Sequence, residues 1–283
     1  MSARALHAAR NLRKGPRMAA MLLATGLLLT GCGVAGGDAE TADKAGSVPG
    51  DRASTSGSAN NTNANNGGGS GSKDTISTET EVQEVIPQEI PGLGRRTRAE
   101  ISPETTQAVV VTGDDQDSSD STLQVYERDP AAGWTPVTDP WPAHNAKRGW
   151  TEDHNQGDLR SPIGVFTLTD AGGLFDDPGT KLTYDQGPAF TASGDGFNGE
   201  PLEGSFDYVV AINYNRVPGT TPLDWTRPLG MEKGGGIWIH VDHDGPTQAC
   251  VSIHREQMRE LLLLLDPEKQ PVVVMGDAAS LAR

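Results

Sequence analysis

The chain has 283 residues, enough for one large domain or for an ordinary domain with appended segments. Lys and Arg number 23 against 38 Asp and Glu, a formal net charge of -15 at pH 7, and no basic face of the kind that a nucleic-acid binder concentrates is visible. Hydrophobic residues make up 35% and aromatics 5%, with 35 Gly and 19 Pro, a balance that suggests two regions of different character.

The N-terminal stretch holds Arg4, Arg10, Arg13, Lys14 and Arg17 and no acidic residue before Asp38. An apolar run then extends from Met18 to Leu29, broken only by Thr25 and Gly26. A basic lead followed by so short an apolar run reads as a secretory signal, since a membrane span needs about 20 residues. The run closes on Leu29-Thr30-Gly31-Cys32, which resembles a bacterial lipoprotein signal. That resemblance implies removal of residues 1–31 and lipidation of Cys32. The protein would then be exported and held by its lipid on the outer face of the bacterial cell membrane, within the cell wall.

Residues 32–95 carry little apolar periodicity, and Asp51 to Lys73 is nearly all Ser, Thr, Asn, Gly and Ala. Such a stretch cannot bury enough apolar surface to offset backbone entropy, so it is expected to be a disordered tether. Its root-mean-square span would be about 40–45 Å.

Residues 96–283 are enough for one core. Ala108 to Thr112 reads as a buried strand, and Thr122 to Glu127 alternates at period two, with a polar hairpin connection at 114–121. Further strands are expected over Gly164 to Thr169, Tyr208 to Asn213, Gly236 to Val241 and Pro271 to Met275. One helix is expected from Arg255 to Leu265, with Ser252 as its cap and Asp266-Pro267 as its stop. The fold class is mainly β with one or two helices.

The chain has two cysteines, and if Cys32 carries lipid, Cys250 has no second thiol to form a disulfide with. A buried, inert cysteine is the plain reading. The alternative is a reactive thiol between the turn Gly245 to Ala249 and a helix start whose dipole favours thiolate. Ten residues upstream stands His240. On an extended Ile237-Trp238-Ile239-His240, Trp238 and His240 share one face. A histidine there is placed to take a thiol proton and return it, the nucleophile–base logic of acyl transfer.

Ile239-His240 followed by Thr247-Gln248-Ala249-Cys250-Val251-Ser252 resembles the signature of the L,D-transpeptidase catalytic (YkuD-type) domain. Gly157 to Phe166, with Gly157-Asp158, Ser161-Pro162 and Gly164, resembles a second block of that family, and Tyr208 to Tyr214 a third. The three blocks stand in family order between about Val109 and Met275. The resemblance implies a β-sandwich in which Cys250 is the nucleophile and His240 the base. It implies that backbone N–H groups of Cys250 and Ala249 hold the oxyanion, and that Trp238, Thr247 and Ser252 line the substrate groove. Peptidoglycan stem peptides would be the substrate and carbapenem-type β-lactams acylating agents, with no metal or organic cofactor. The chain departs from the family pattern at Gln248, Ala249, Ser252 and Val241. A group orienting His240 would then be a backbone carbonyl, with Asp242 as the other candidate.

Other readings compete. His240-Val241-Asp242-His243-Asp244 contains zinc-ligand types, but extended geometry would put His240 and His243 on opposite faces, and a solvated acidic loop explains it better. His144 and His154 read as surface histidines, groove positions being the alternative. Of Trp134, Trp141, Trp150, Trp225 and Trp238, core packing explains most. A non-catalytic wall-binding lipoprotein, or a hydrolase releasing the same thioester to water, would carry much of the same sequence.

Overall fold

The computed structural model describes residues 87–283. The signal, the lipidation of Cys32 and the tether before residue 87 lie outside the described residues. The folded body begins before residue 96: Gln88 bridges to Gly133, and Ile90 and Leu93 are buried in a core cluster, because these apolar side chains find a hydrophobic face to cover.

The body is mainly β. In chain order it runs α1 (Arg95–Ala99), β1 (Gln107–Gly113), β2 (Asp120–Asp129), β3 (Gly133–Pro136), β4 (Trp141–His144), β5 (Trp150–Thr151) and β6 (Ser161–Pro162). It continues through β7 (Gly164–Gly173), β8 (Thr183–Gln186), β9 (Val209–Ile212), β10 (Trp238–Val241), β11 (Val251–Ile253), α2 (Arg255–Leu264), β12 (Val272–Asp277) and α3 (Ala278–Leu281). The main sheet runs β1-β12-β7-β9-β10-β11-β4-β2, and an antiparallel β1–β2 pairing joins its two ends. Eight strands thus close into a barrel-like ring, which leaves no open edge in that circuit. β3 and β8 attach outside it to β2 and β7.

The apolar runs follow from burial on two sides. Val109, Val111, Val273 and Met275 enter the main core, whereas Ala108, Val110, Val272 and Val274 face a second cluster with Ile90, Trp134 and Leu281. β1 and β12 are therefore covered on both faces, which is why their sequences do not alternate. β2 does alternate: Leu123 and Val125 point into the main core, and Thr122 is exposed. α2 feeds Met258, Leu261 and Leu262 into the same core at helical spacing, while Leu263 stays 53% exposed. The helix begins at Arg255 with His254 at its N-cap position. Ser252 is not its cap, since residues 251–253 pair as β11 instead.

The long segment from Asn213 to Ile237 joins β9 to β10 and is tied down by buried polar groups. Arg216 pairs with Asp170 of β7 at 2.9 Å, each side chain 2% exposed. Asp170 also accepts from the Gly219 N–H at 2.9 Å, and Arg216 donates to the Thr220 carbonyl at 2.7 Å. Asn215, at a positive φ of 44°, donates to the carbonyls of Gly230 (2.9 Å) and Gly234 (2.6 Å) and accepts from the Leu229 N–H (2.7 Å). These hydrogen bonds offset part of the cost of burying the charged pair, while Asp170 Oδ1 and Arg216 Nε are buried without a hydrogen-bond partner.

Candidate active site

β10 and β11 run parallel, with Ile239 beside Val251 and His240 beside Ser252. Ile239, Val241, Val251 and Ile253 belong to the main core. Alternation therefore places Trp238, His240, Cys250 and Ser252 on the opposite face of the sheet. Strand spacing and rise put the Cα atoms of Cys250 and His240 about 8 Å apart on that face. The two residues singled out in the sequence are thus on neighbouring strands, on one side, two register positions apart.

Cys250 sits where the loop enters β11 and is half-buried. The Trp238 N–H points to its sulfur at 3.5 Å, and the Gly236 carbonyl oxygen lies 3.9 Å from it. Its own carbonyl is gripped twice, by the Thr247 hydroxyl at 2.7 Å and the Ser161 hydroxyl at 3.2 Å. Ser161 in turn accepts from the Ala146 N–H at 3.1 Å. Because three residues of strand separate Cys250 from α2, the helix dipole does not act on the thiol as its position in the sequence suggests; that influence fades within the first turn.

His240 is 3% exposed and is oriented by a backbone carbonyl: Nδ1 lies 2.9 Å from the oxygen of Val241. A carbonyl can only accept, so Nδ1 carries the hydrogen and Nε2 presents its lone pair. Burial pulls the pKa of His240 from the ordinary 6.5 down to about 4, opposed by the Val241 hydrogen bond and helped by the neighbouring His243. The imidazole is therefore neutral at physiological pH, fit to accept a proton. Phe206 packs edge-on against both His240 and Trp238.

His243 does not lie on the far face. The strand ends at Val241, Asp244 takes a positive φ of 63°, and the returning chain stacks the His243 ring on His240 at 5.8 Å and 12°. Its Nδ1 lies 3.3 Å from a carboxylate oxygen of Glu200, both side chains nearly buried. The residues 240–244 are thus not a solvated loop throughout.

Asp242 serves a different histidine. It accepts from the Ser252 hydroxyl at 2.7 Å and pairs with His144 Nδ1 at 2.9 Å. Burial pushes its carboxyl up, yet the hydrogen bonds from His144 and Ser252 hold it at about 2. His144 is raised above its ordinary value, first by the Asp242 hydrogen bond and against partial burial. It is a half-buried network residue rather than a surface one. His154 is buried as well, its pKa lowered by burial against the pull of Asp158, and it packs against Tyr214.

Two expected groove residues lie elsewhere. Thr247 is 4% exposed and holds the Cys250 carbonyl, and Ser252 is fully buried and holds Asp242. Both hydroxyls satisfy internal polar groups, which leaves neither to meet a substrate. Trp238 does stay partly open. Ala249 packs its methyl against the main core and has no positive φ, so alanine is accommodated where the family pattern has glycine. A cavity of about 410 Å³ adjoins this face, walled by Phe190 and Phe206, with Asp195, Glu203 and Asp207 among its lining residues.

Thr247→Val is expected to weaken the clamp on Cys250. It would cost about 1 kcal/mol in denaturant unfolding and slow covalent capture of Cys250, with Thr247→Ser restoring both. Unchanged capture kinetics in Thr247→Val would show that this hydroxyl does not position the thiol.

Sequence reasoning missed Ser161 as a partner of Cys250, although it stands inside the Gly157 to Phe166 block. No protein-family model and no curated protein matches this chain.

Proposed function

We propose that the protein is a cell-wall L,D-transpeptidase working through a Cys250 thioester, lipid-anchored through Cys32. One observation carries the reading. The separate sequence blocks fold against one another at Cys250, with Ser161 of one block on the carbonyl of the cysteine in another and a neutral His240 on the adjacent strand. The closed eight-stranded sheet also suits the β-sandwich that the resemblance implies, a flattened barrel being two faces joined at their edges.

In this reading the Cys250 sulfur attacks the carbonyl of the third stem residue while its proton passes to His240 Nε2. The S–C bond forms, the C–N bond to the terminal D-residue breaks, and the leaving nitrogen takes that proton. An amine of a neighbouring stem then attacks the thioester, His240 takes the amine proton and returns it to sulfur, and a cross-link results. Backbone N–H groups of Cys250 and Ala249 are the oxyanion donors in this scheme. His240 rests as a neutral imidazole, since burial makes it resist protonation. Carbapenem-type β-lactams would acylate the same sulfur.

The test is product analysis after incubating the purified protein with tetrapeptide stem fragments. Cross-linked dimer lacking one terminal D-residue supports the transpeptidase. Tripeptide alone makes the protein a hydrolase using the same thioester. Well-folded protein that yields neither overturns the reading in favour of wall binding.

A further inference from the structure

The segment 213–237 carries an arginine for which the scheme above gives no role. Arg227 is half-buried and forms no salt bridge among the described residues, in a chain of net charge -15 where carboxylates are plentiful. Its Nη1 donates to the backbone carbonyls of Asp224 and Thr226, each at 3.1 Å, and its guanidinium lies 4.8 Å from the Trp225 ring. Trp225 itself is 61% exposed, so the stacked pair faces solvent. Burial lowers the pKa of Arg227, against the pull of Asp224.

Its position relative to the thiol is set by the glycine run. Gly235 and Gly236 have φ of 138° and 68°. A Cβ on Gly235 would stand 2.2 Å from Arg227 Nε, and one on Gly236 would stand 3.3 Å from Nη2. Only glycine lets the guanidinium lie against the chain here. Gly236 is also the residue whose carbonyl oxygen is 3.9 Å from Cys250 Sγ. Arg227 and Cys250 therefore flank a single residue.

We infer that Arg227 is a carboxylate-binding residue that selects stems ending in a free carboxylate. The inference rests on the transpeptidase reading and names its specificity. A stem whose scissile carbonyl meets Cys250 places the terminal carboxylate one residue beyond it, about 3.8 Å along the chain. Gly236 is the residue that both the thiol and the guanidinium approach. The planar fork of Arg227, with Nη1 already committed to backbone, keeps Nε and Nη2 for the ligand, a bidentate geometry. Ser252 cannot do this, being fully buried on Asp242. The Trp225 ring holds the fork from the other side.

The experiment compares a tetrapeptide stem with the same peptide bearing a C-terminal amide. In Cys250→Ala protein, binding of the carboxylate form should exceed that of the amide by about 10- to 100-fold, and Arg227→Gln in that background should erase the difference. With the cysteine present, Arg227→Gln should lower kcat/KM on the carboxylate peptide alone and leave alkylation of Cys250 by iodoacetamide unchanged. Arg227→Lys should keep part of the preference. Equal binding of the two peptides by Cys250→Ala protein, or a preference that survives Arg227→Gln, overturns the inference. Should Arg227→Gln fail to fold, the carboxylate-to-amide ratio of Cys250→Ala protein and its response to Arg227→Lys decide the matter. Failure of the transpeptidase reading looks different: neither peptide is converted by protein with Cys250 intact, whatever the binding ratio.

Discussion

Replacing Cys250 with alanine should abolish covalent capture: intact-mass spectra of the wild type should gain one carbapenem, and those of Cys250→Ala none. Turnover of stem peptides should fall with it, by about a thousandfold or more, because among the described residues no other exposed thiol or hydroxyl shares that face of β10 and β11. Ser252, the nearest hydroxyl on the face, is buried and committed to Asp242. The variant should keep its fold, since the side chain is half-exposed at a loop end and the grips on its carbonyl by Thr247 and Ser161 do not involve sulfur. Its stability should stay within about 1 kcal/mol of wild type. An adduct that persists in Cys250→Ala, mapped to another side chain, would remove Cys250 from the chemistry.

The second large effect belongs to His240. His240→Gln should slow acylation by about 10²- to 10⁴-fold, the span a positioned proton acceptor contributes. Its pH dependence is the sharper mark. With a pKa near 4 in place of 6.5, His240 stays neutral through mildly acidic conditions. Acylation by a carbapenem should therefore hold through pH 6 and 5 and fail only as pH approaches about 4. A rate that halves above 6.5 would mean that a different histidine, such as the half-buried His144, is the base.

The same group ties stability to pH. A histidine with a depressed folded pKa contributes its stability in full above about 6.5 and loses it as pH falls toward about 4, by about 3 kcal/mol. His144 works in the opposite direction. Its folded pKa is raised, so its contribution is present below the ordinary 6.5 and is lost as pH rises through the folded value. Denaturant titrations across pH 4 to 7 should show the wild type losing stability as pH falls toward 4, and His240→Gln losing that much less over the same range.

Much of this arrangement was legible beforehand. The runs Ala108 to Thr112 and Pro271 to Met275 read as strands, the first as a buried one, and the alternation of Ile237 to His240 put Trp238 and His240 together. What local pattern did not carry was which side chain a hydroxyl or carboxylate would meet. Thr247 and Ser252 looked like groove residues because their types suit a groove, yet each is consumed by an internal acceptor, one by Cys250 and one by Asp242. His243 looked like the far side of a strand that in fact ends two residues earlier. Ser252 looked like a helix cap because a three-residue strand is too short to show a period.

The sequence by itself determined the division into an acidic β-rich body and an appended low-complexity stretch, the main strands, and the identity of the cysteine and histidine that share a face. Those features depend on composition and on neighbours along the chain, where periodicity speaks directly. Tertiary structure alone decided that the sheet closes on itself through β1 and β2, that Ser161 reaches across to the Cys250 carbonyl, that Val241 and not Asp242 orients His240, and that Arg227 lies against the glycines beside the thiol. Each of these joins groups by hydrogen bonding or close approach after the chain has turned, and Ser161 and Cys250 stand 89 positions apart. Such pairings are chosen by which buried polar groups must be satisfied once the core has formed, a condition that exists only in the folded molecule.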